Sequence, residues 1–328
     1  MAVITRLSAK DVERVLASYS IGALEGFQEA SEGIENTNYF VRTRQEGDHI
    51  AEHVLTLIEE VNGSGSHLAA MIKVLDCCVK EGLPVPQVIR TVQGEPTSTL
   101  LDKPTLLCRK LEGLHVANPV RSQCAAIGRF LARFHVATES IQGEIAPYVR
   151  DSDWLIEKTE AVKRDIPLLD RNILESSLQA VLAMLARDDV EQLPQAVIHA
   201  DLFLDNALFN RFGLSGILDF HHAGRGYCIY DLAVALNDWC RDGDQLNHER
   251  TIELLRGYAS IRNLTQPELW FLPMFLMYAA LAFWLSRLLV YVRTDLPPHY
   301  PIKDPDEFKR LVKNHARAPF SVVRESLL

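Results

Sequence analysis

The sequence lacks the basic stretches with which proteins bind nucleic acids or anionic membranes. No run of five or more basic residues occurs, and 34 Lys and Arg residues stand against 43 Asp and Glu, a net charge of −9. Polyanion binding draws its energy from clustered basic side chains that release counterions. We therefore expect no nucleic-acid partner and no membrane partner.

Paired cysteine motifs, targeting segments and internal repeats are also lacking. The six cysteines form no C-x-x-C pair, and their scattered positions are typical of free thiols in a reducing cytosol. The N-terminus has no apolar core of a signal peptide. The 328 residues, 48% of them hydrophobic and 23% charged, suffice for two folded domains. A cytoplasmic globular protein is expected.

A single apolar run, residues 269–285, approaches the length of a membrane span. Pro273 interrupts its first part, Arg287 follows it closely, and no second such run exists. A helix buried on all sides within a helical domain has the same pattern, and we favour this interpretation. Arg287 would then need an anionic partner, because a buried cation is costly without one.

The pattern of the chain changes near residue 110. Before it, helices predicted at 8–18 and 68–79 accompany strand-like runs at 39–41 and 53–58, a further strand predicted after Pro86 and one at 105–108. A turn is predicted around Gly33 and residues 35–38. Beyond Gly113, helices are predicted over 119–140, 153–164, 172–188, 229–240, 248–260, 266–292 and 305–316. The sequence thus predicts an α+β protein with a small mixed N-terminal lobe, residues 1–110, and a larger, mainly helical C-terminal lobe, residues 111–328.

The most informative stretch surrounds His199, Asp201 and Asn206, which lie between two short strand-like pieces. A third such piece follows and ends in Asp219. A β-hairpin would bring Asp201, Asn206 and Asp219 to one end of a sheet. Carboxylate and amide oxygens suit Mg²⁺, which leaves coordination positions for phosphate oxygens, so Asn206 and Asp219 are candidate metal ligands. Asp201 is then available to accept a hydroxyl proton, as in the catalytic loop of protein kinases.

Histidines near this stretch allow a second interpretation. His221 and His222 follow Asp219 and could join His199 in a zinc cluster. We prefer to interpret them as loop residues beside the pocket. His199 is expected to orient the catalytic loop by hydrogen bonds to its backbone.

Several segments together resemble a known family. They are Ser-Glu-Gly-Ile-Glu-Asn-Thr-Asn-Tyr-Phe at 31–40, Gly-Leu-Pro-Val-Pro at 82–86, His-Ala-Asp-Leu-Phe-Leu-Asp-Asn at 199–206, Tyr-Asp-Leu-Ala at 230–233, Asn-Asp-Trp-Cys at 237–240, Phe-Trp-Leu-Ser-Arg-Leu at 283–288 and Lys-Asp-Pro-Asp-Glu-Phe at 303–308. Nearly the whole chain resembles the aminoglycoside phosphotransferase-like small-molecule kinases, which share a bilobal protein-kinase-like fold with an antiparallel sheet in the N-terminal lobe. The segments at 237–240 and 284–288 resemble the homoserine kinase branch of that family.

The resemblance implies transfer of the γ-phosphoryl group of ATP to the hydroxyl of L-homoserine, on the route to threonine. Asp201 would be the base, and Asn206 and Asp219 would hold Mg²⁺. A loop from Gly33 to Asn38, including Asn36 and Thr37, would cover the phosphates, although it could also be an ordinary hairpin turn. The segment with Arg109 and Leu111 would offer backbone groups to adenine.

One position departs from the wider superfamily. Protein-kinase-like folds use a lysine on the third strand to hold the α- and β-phosphates, whereas Thr56 stands at the matching position here. No lysine occurs between Lys10 and Lys73. Mg²⁺ and backbone amides are expected to meet the phosphate charge instead. Lys73 could contribute, but it could equally be a solvated surface residue.

A homoserine site needs a cation, an anion and apolar walls. Arg287 could bind the carboxylate, Asp238 or Asn237 the ammonium, and Trp239 or Trp284 could line the methylene groups. Alternatively, Arg287 could form a structural ion pair with Asp238 or Asp231. Asp231 is expected to brace the catalytic loop.

The sequence is also compatible with two other functions. The same fold could phosphorylate another hydroxyl compound, such as an aminoglycoside, choline or another amino alcohol. The absent strand lysine would also suit a nucleotide-binding pseudokinase, although Asp201, Asn206 and Asp219 argue against it. The oligomeric state could be a monomer or a homodimer.

Overall fold

The computed structural model describes residues 5–30, 36–45, 47–59, 65–295 and 302–317. The described residues up to Glu112 form one compact unit, and those from Gly113 onward form another. Gly33 and the other residues of the predicted phosphate loop up to residue 35 lie outside the described ranges.

The first unit is a five-stranded antiparallel sheet with two helices. Its elements are α1 (Ala9–Leu16), β1 (Ala23–Glu29), β2 (Thr37–Arg44), β3 (Ile50–Leu57), α2 (Gly65–Lys80), β4 (Thr97–Leu100) and β5 (Lys103–Arg109), with sheet order β1-β2-β3-β5-β4. The Ser8 hydroxyl and the Asp11 carboxylate form a capping box at the start of α1. Val12 and Val15 of α1 join Tyr39, Val41 and Leu55 in a buried core.

Two predictions for this unit were wrong in detail. Thr37 and Asn38, predicted in a turn, begin strand β2, because Thr37 continues the inward-facing alternation of Tyr39 and Val41. The strand predicted after Pro86 is only an isolated bridge between Val88 and Cys108, and a strand forms instead at β4.

The second unit is mainly helical, as predicted. Its helices are α3 (Arg121–Ala137), α4 (Ser152–Val162), α5 (Leu168–Leu185), α6 (Asp188–Glu191), α7 (Cys228–Trp239), α8 (His248–Ala259), α9 (Gln266–Tyr291) and α10 (Asp306–Arg317). Its strands pair antiparallel in three small sheets: β6 (Gln195–Ile198) with β9 (Gly224–Tyr227), β7 (Ala207–Asn210) with β8 (Gly213–Ile217), and β10 (Arg241–Asp242) with β11 (Gln245–Leu246). Strand β9 was not predicted, because its two glycines mask any alternating pattern.

Helix α9 is the buried helix that the apolar run predicted. Within the described ranges it alone is long and apolar enough to cross a membrane, yet 78% of its most apolar window is buried inside the protein. It packs against α4, α5, α7 and α10. This central position explains why α9 is apolar on all sides.

All six cysteines lie within the described ranges as free thiols, and five of them are buried. Burial raises the pKa of Cys108 to about 12. Such a thiol stays protonated at neutral pH and behaves as a small apolar side chain.

Helices α3 and α8 cross closely because each contributes a glycine at the contact. A methyl group at Gly128 would lie 2.0 Å from the carbonyl oxygen of Leu254, and one at Gly257 would lie 2.1 Å from that of Ala125. Any side chain at either position would force the two backbones apart.

Replacing Gly128 with alanine should therefore lower the free energy of unfolding by about 1–3 kcal/mol, the usual cost of overpacking. Urea denaturation measures this change. Gly143→Ala is the matched control, because its methyl group would meet no atom within 4 Å. Equal stability of the two variants would contradict the close crossing.

Candidate active site

A β-hairpin brings the predicted catalytic residues together at one end of the second unit. Strand β6 ends at Ile198, the loop 199–206 follows, and β7 and β8 return the chain to Asp219. The amide of Leu218 donates to the carbonyl oxygen of Asn206 at 2.9 Å, so the two ends of the hairpin lie side by side. The predicted hairpin is confirmed.

Asn206 fixes the side chain of Asp201. Its Nδ2 donates to Oδ2 of Asp201 at 3.0 Å and to the carbonyl oxygen of Asp201 at 2.8 Å. Burial raises the pKa of Asp201 well above its ordinary value, and the negative charge of Asp219 raises it further. Arg150 and Lys303 oppose this rise.

A buried carboxylate, Asp231 on α7, holds the loop from behind. Its Oδ2 accepts from the amide of His199 and its Oδ1 from the amide of Ala200, both at 2.8 Å, while Nε2 of His135 lies 3.0 Å from Oδ2. Burial alone would raise the pKa of Asp231, but the hydrogen bond and charge of His135 lower it, so the group stays ionised. The prediction that Asp231 braces the catalytic loop is confirmed.

Two residues of the site adopt left-handed backbone conformations. Ala200 has φ of +63° directly before Asp201, and Asp219 has φ of +59°. Asp tolerates this region, whereas alanine enters it only at a cost in free energy. The hydrogen bonds from the consecutive amides of His199 and Ala200 to Asp231 supply the constraint that holds the backbone there.

His199 connects the loop to the exit of the hairpin. Its Nδ1 accepts from the amide of Asp201 at 3.3 Å, and its Nε2 donates to the carbonyl oxygen of Leu218 at 2.9 Å. Burial lowers the pKa of His199, which favours the neutral ring that these two bonds require. The prediction that His199 orients the loop through its backbone is confirmed.

The donor set around Asp219 fits a hard divalent cation. Asn206 gives its amide nitrogen to Asp201, which leaves its amide oxygen as a ligand, and the exposed Asp219 adds a carboxylate. For the zinc alternative, no group of three His, Cys, Asp or Glu side chains arranged for a metal occurs among the described residues.

Comparison with known proteins agrees with this arrangement. Residues 26–264 match the model of the phosphotransferase enzyme family. A homoserine kinase from Pseudomonas aeruginosa (strain UCBPP-PA14) is 37% identical over 317 residues, covering 94% of this chain and 95% of the relative. One from Methylobacillus flagellatus is 35% identical over 321 residues, covering 97% and 96%. The chain belongs to the phosphotransferase enzyme family, in its homoserine kinase branch.

Solved structures agree on the fold of this phosphotransferase. Amicoumacin kinase hAmiN, solved with AMP-PNP, Ca²⁺ and Ami, superposes with a TM-score of 0.73 at 18% identity, covering 97% of this chain and 96% of that one. A microcompartment-associated aminopropanol kinase gives 0.68 at 16% identity, covering 94% of each chain. The predicted bilobal, protein-kinase-like α+β fold is thereby confirmed.

The Asn-Asp-Trp segment at the end of α7 supports the catalytic loop. Asp238 accepts from the amide of Leu204 at 2.7 Å, and Nε1 of Trp239 donates to the carbonyl oxygen of Leu202 at 3.1 Å. Burial raises the pKa of Asp238 to about 6. Asn237 lies in the core, where its amide donates to the carbonyl oxygen of Leu276 and its oxygen meets His315.

The two tryptophans predicted as substrate walls are fully enclosed, since both have a relative exposure of 0%. Trp239 packs its ring against Phe209 of β7, and Trp284 lies inside α9. The structure therefore places both side chains in the core of the second unit.

Arg287 has its anionic partner, but a different one from either residue that the sequence suggested. Its guanidinium pairs with Glu307 of α10, donates to the carbonyl oxygen of Asp304 at 2.7 Å and lies 4.5 Å from the ring of Phe308. The suggested pairing with Asp238 or Asp231 was wrong, because α10 brings Glu307 to this face of α9. Arg241 also pairs with Glu307.

The predicted nucleotide residues lie in the first unit. Thr56 of β3 donates to Oδ1 of Asn38 at 2.6 Å, so the strand position that lacks a lysine holds a hydroxyl bonded across to β2. Oδ1 of Asn36 accepts from the amide of Glu59, and the Thr37 hydroxyl donates to the Glu59 carboxylate. Arg109 ends β5 and donates its amide to Gln87, and Leu111 follows.

Two cations near Asp201 escaped the sequence analysis. Arg150 precedes α4 in an irregular segment, and Lys303 pairs with Asp205 at 3.1 Å. Neither lies in a periodic pattern that would reveal its position. For Lys303, the only indication in the sequence was the family resemblance of the Lys-Asp-Pro-Asp-Glu-Phe segment at 303–308.

Replacing Asp231 with asparagine should destabilise the protein by about 3 kcal/mol or more, because an amide cannot accept from both backbone amides and pair with His135. Thermal or urea unfolding measures this loss. The surface carboxylate Asp189, which pairs with the exposed Arg187, provides the control, and Asp189→Asn should change stability by less than about 0.5 kcal/mol. A similar small effect for both variants would exclude Asp231 as the brace.

Proposed function

We propose that this phosphotransferase transfers the γ-phosphoryl group of ATP to the side-chain hydroxyl of L-homoserine, in the cytoplasm and on the route to threonine. Full-length similarity to homoserine kinases carries the proposal, with 37% identity over 94% of the chain. Asp201, Asn206 and Asp219, which the hairpin brings together, are the residues proposed to carry out the phosphoryl transfer. The products are O-phospho-L-homoserine and ADP.

Asp201 is the proposed base. Asn206 holds its carboxylate in place and Asp231 holds its backbone, so the side chain needs little reorganisation when an acceptor binds. As the hydroxyl oxygen bonds to the γ-phosphorus, its proton passes to Asp201 while the bond to the β-phosphate oxygen breaks. His199 takes no proton in this step, because both of its ring nitrogens are bonded to the loop and hairpin backbone.

Asn206 and Asp219 are the proposed ligands of Mg²⁺. When bound, Mg²⁺ would neutralise phosphate charge that the chain itself lacks a strand lysine to meet. The amide nitrogen of Asn206 donates to Asp201, so the amide oxygen of Asn206 points away from Asp201. This arrangement separates the proposed metal ligand from the proposed base.

Asp238 is the proposed ligand of the substrate ammonium. It is partly exposed, whereas its neighbours Asn237 and Trp239 are buried, and its hydrogen bond to Leu204 places it against the catalytic loop. Asn237, Trp239 and Trp284 would then act by supporting this wall rather than by touching substrate. Arg287 would join α9 to α10 through Glu307.

The nucleotide contacts are proposed for the first unit. Gly33, Asn36, Thr37 and Asn38 would cover the phosphates, with Thr56 supporting Asn38. Backbone groups at Arg109 and Leu111 would meet adenine. Monomer and homodimer are equally compatible with this proposal.

An acceptor screen with purified protein tests the function. ADP release should be stimulated most by L-homoserine and weakly by choline, ethanolamine, 3-aminopropan-1-ol or an aminoglycoside. Faster turnover of an amino alcohol or aminoglycoside would instead select that acceptor, and no turnover with any hydroxyl compound would favour the pseudokinase.

Asp201→Asn should lower kcat about 10²–10⁴-fold, the usual contribution of a general base, while leaving the affinity for ATP unchanged. The amide cannot take the hydroxyl proton but keeps the size of the side chain. Stopped assays of product and calorimetric titration of nucleotide measure the two quantities, with the unfolding temperature as a check on folding. Turnover close to that of the unaltered enzyme would remove Asp201 from the mechanism.

Removal of divalent metal should abolish activity, and added Mg²⁺ should restore it. With Thr56 in place of the strand lysine, this dependence should exceed that of kinases that retain the lysine. The measurement is ADP release at saturating L-homoserine and ATP in excess chelator. Measurable turnover under those conditions would contradict the proposed role of Asn206 and Asp219.

A further inference from the structure

Arg150 is a buried cation in the segment between α3 and α4, just before α4 begins. The residue is 8% exposed, and its guanidinium lies 4.6 Å from the ring centre of Phe283 and 5.7 Å from that of Trp154. Its own carbonyl oxygen accepts from the hydroxyl of Tyr278 at 2.5 Å. Both the backbone and the charged end are therefore fixed against α4 and α9.

A short chain of contacts connects Arg150 to the catalytic loop. Phe283, on which the guanidinium rests, meets Phe203 edge-on with ring centres 4.6 Å apart. Phe203 is two residues beyond Asp201 and donates its amide to the carbonyl oxygen of Asp201 at 2.9 Å. Phe283 therefore contacts both the guanidinium of Arg150 and Phe203, which belongs to the loop that carries the proposed base.

The electrostatics agree with this placement. The positive charge of Arg150 lowers the pKa of Asp201, against the upward effects of burial and of Asp219. Burial lowers the pKa of His222 to about 4, and the charge of Arg150 contributes to this shift. Arg150 is therefore one of the charges that act on Asp201.

Arg287, an arginine within α9 itself, has different contacts. Its charge is met by Glu307, and it also donates to the carbonyl oxygen of Asp304. These contacts join α9 to α10.

We propose that Arg150 binds the carboxylate of the acceptor and so selects an amino acid over an amino alcohol of the same length. This inference rests on the proposed homoserine kinase activity. Arginine stacked on aromatic faces keeps its N–H groups in the plane of the guanidinium, where they can meet a carboxylate with two parallel hydrogen bonds. Together with Asp238 for the ammonium, Arg150 would fix both charged groups of the zwitterion and present the hydroxyl to Asp201.

The test compares two acceptors that differ only in the carboxylate. L-Homoserine and 3-aminopropan-1-ol share the amine and the hydroxyl arm, and 3-aminopropan-1-ol can be measured as a substrate or as a competitive inhibitor. Arg150→Met should raise the KM for L-homoserine about 10- to 100-fold, as expected for loss of a charged hydrogen-bonded pair. The KM or Ki for 3-aminopropan-1-ol should stay within about twofold, because no lost contact involves it.

Arg287→Met is the matched control, since it removes a second arginine that lies on a phenylalanine ring. It should lower the unfolding temperature without an acceptor-specific rise in KM. Arg150→Lys keeps a charge but not the paired geometry, and should give a smaller rise for L-homoserine alone. If Arg150→Met does not fold, the lysine variant carries the same comparison.

Equal losses for both acceptors in the Arg150 variants, an unchanged KM for L-homoserine, or the acceptor-specific loss appearing in Arg287→Met would each overturn the assignment. These results are distinct from failure of the proposed function. In that case the unaltered enzyme itself would not phosphorylate L-homoserine.

Discussion

The carboxylate of Asp231 is the constraint on which the catalytic loop depends. It is fully buried, and it accepts from the two consecutive amides of His199 and Ala200 while pairing with His135. Those bonds hold Ala200 in a left-handed conformation, and the next residue is the base. A buried charge is costly unless it is paired and hydrogen-bonded, and here the loop backbone and His135 supply three contacts. The geometry of Asp201 is thus set from the core of the second unit.

Acidic and basic side chains lie close together around Asp201, although the chain as a whole is acidic. Asp201 lies near Asp219 and Asp205, and the positive charges of Arg150 and Lys303 partly offset them. Thr56, in the first unit, contributes a hydroxyl where related folds carry a lysine. The net charge of −9 is therefore compatible with a nucleotide substrate, because the charges that matter are those within a few ångströms of the phosphates.

Local patterns in the sequence predicted most of the fold and the centre of the site. The helical periodicities, the apolar α9 and the hairpin between Asn206 and Asp219 all follow from spacing alone. Contacts between residues far apart in the sequence were harder to predict. Glu307 lies 20 residues beyond Arg287 and reaches it only because α10 packs on α9, so the sequence suggested Asp238 or Asp231 instead. Arg150 stands in an irregular segment, and only the aromatic wall of Phe283 and Phe203 reveals its position.

Hydrogen exchange at the amides of His199 and Ala200 tests the role of Asp231 most directly. Both donate to a buried carboxylate, so they should exchange only through global unfolding, at the slowest rates in the chain. The amide of Phe212 in the exposed turn of the hairpin, which donates to the side chain of Asn210, gives the reference for local opening. Exchange of His199 and Ala200 as fast as that of Phe212 would contradict the account, because a loop that opens so readily could not hold its base in place.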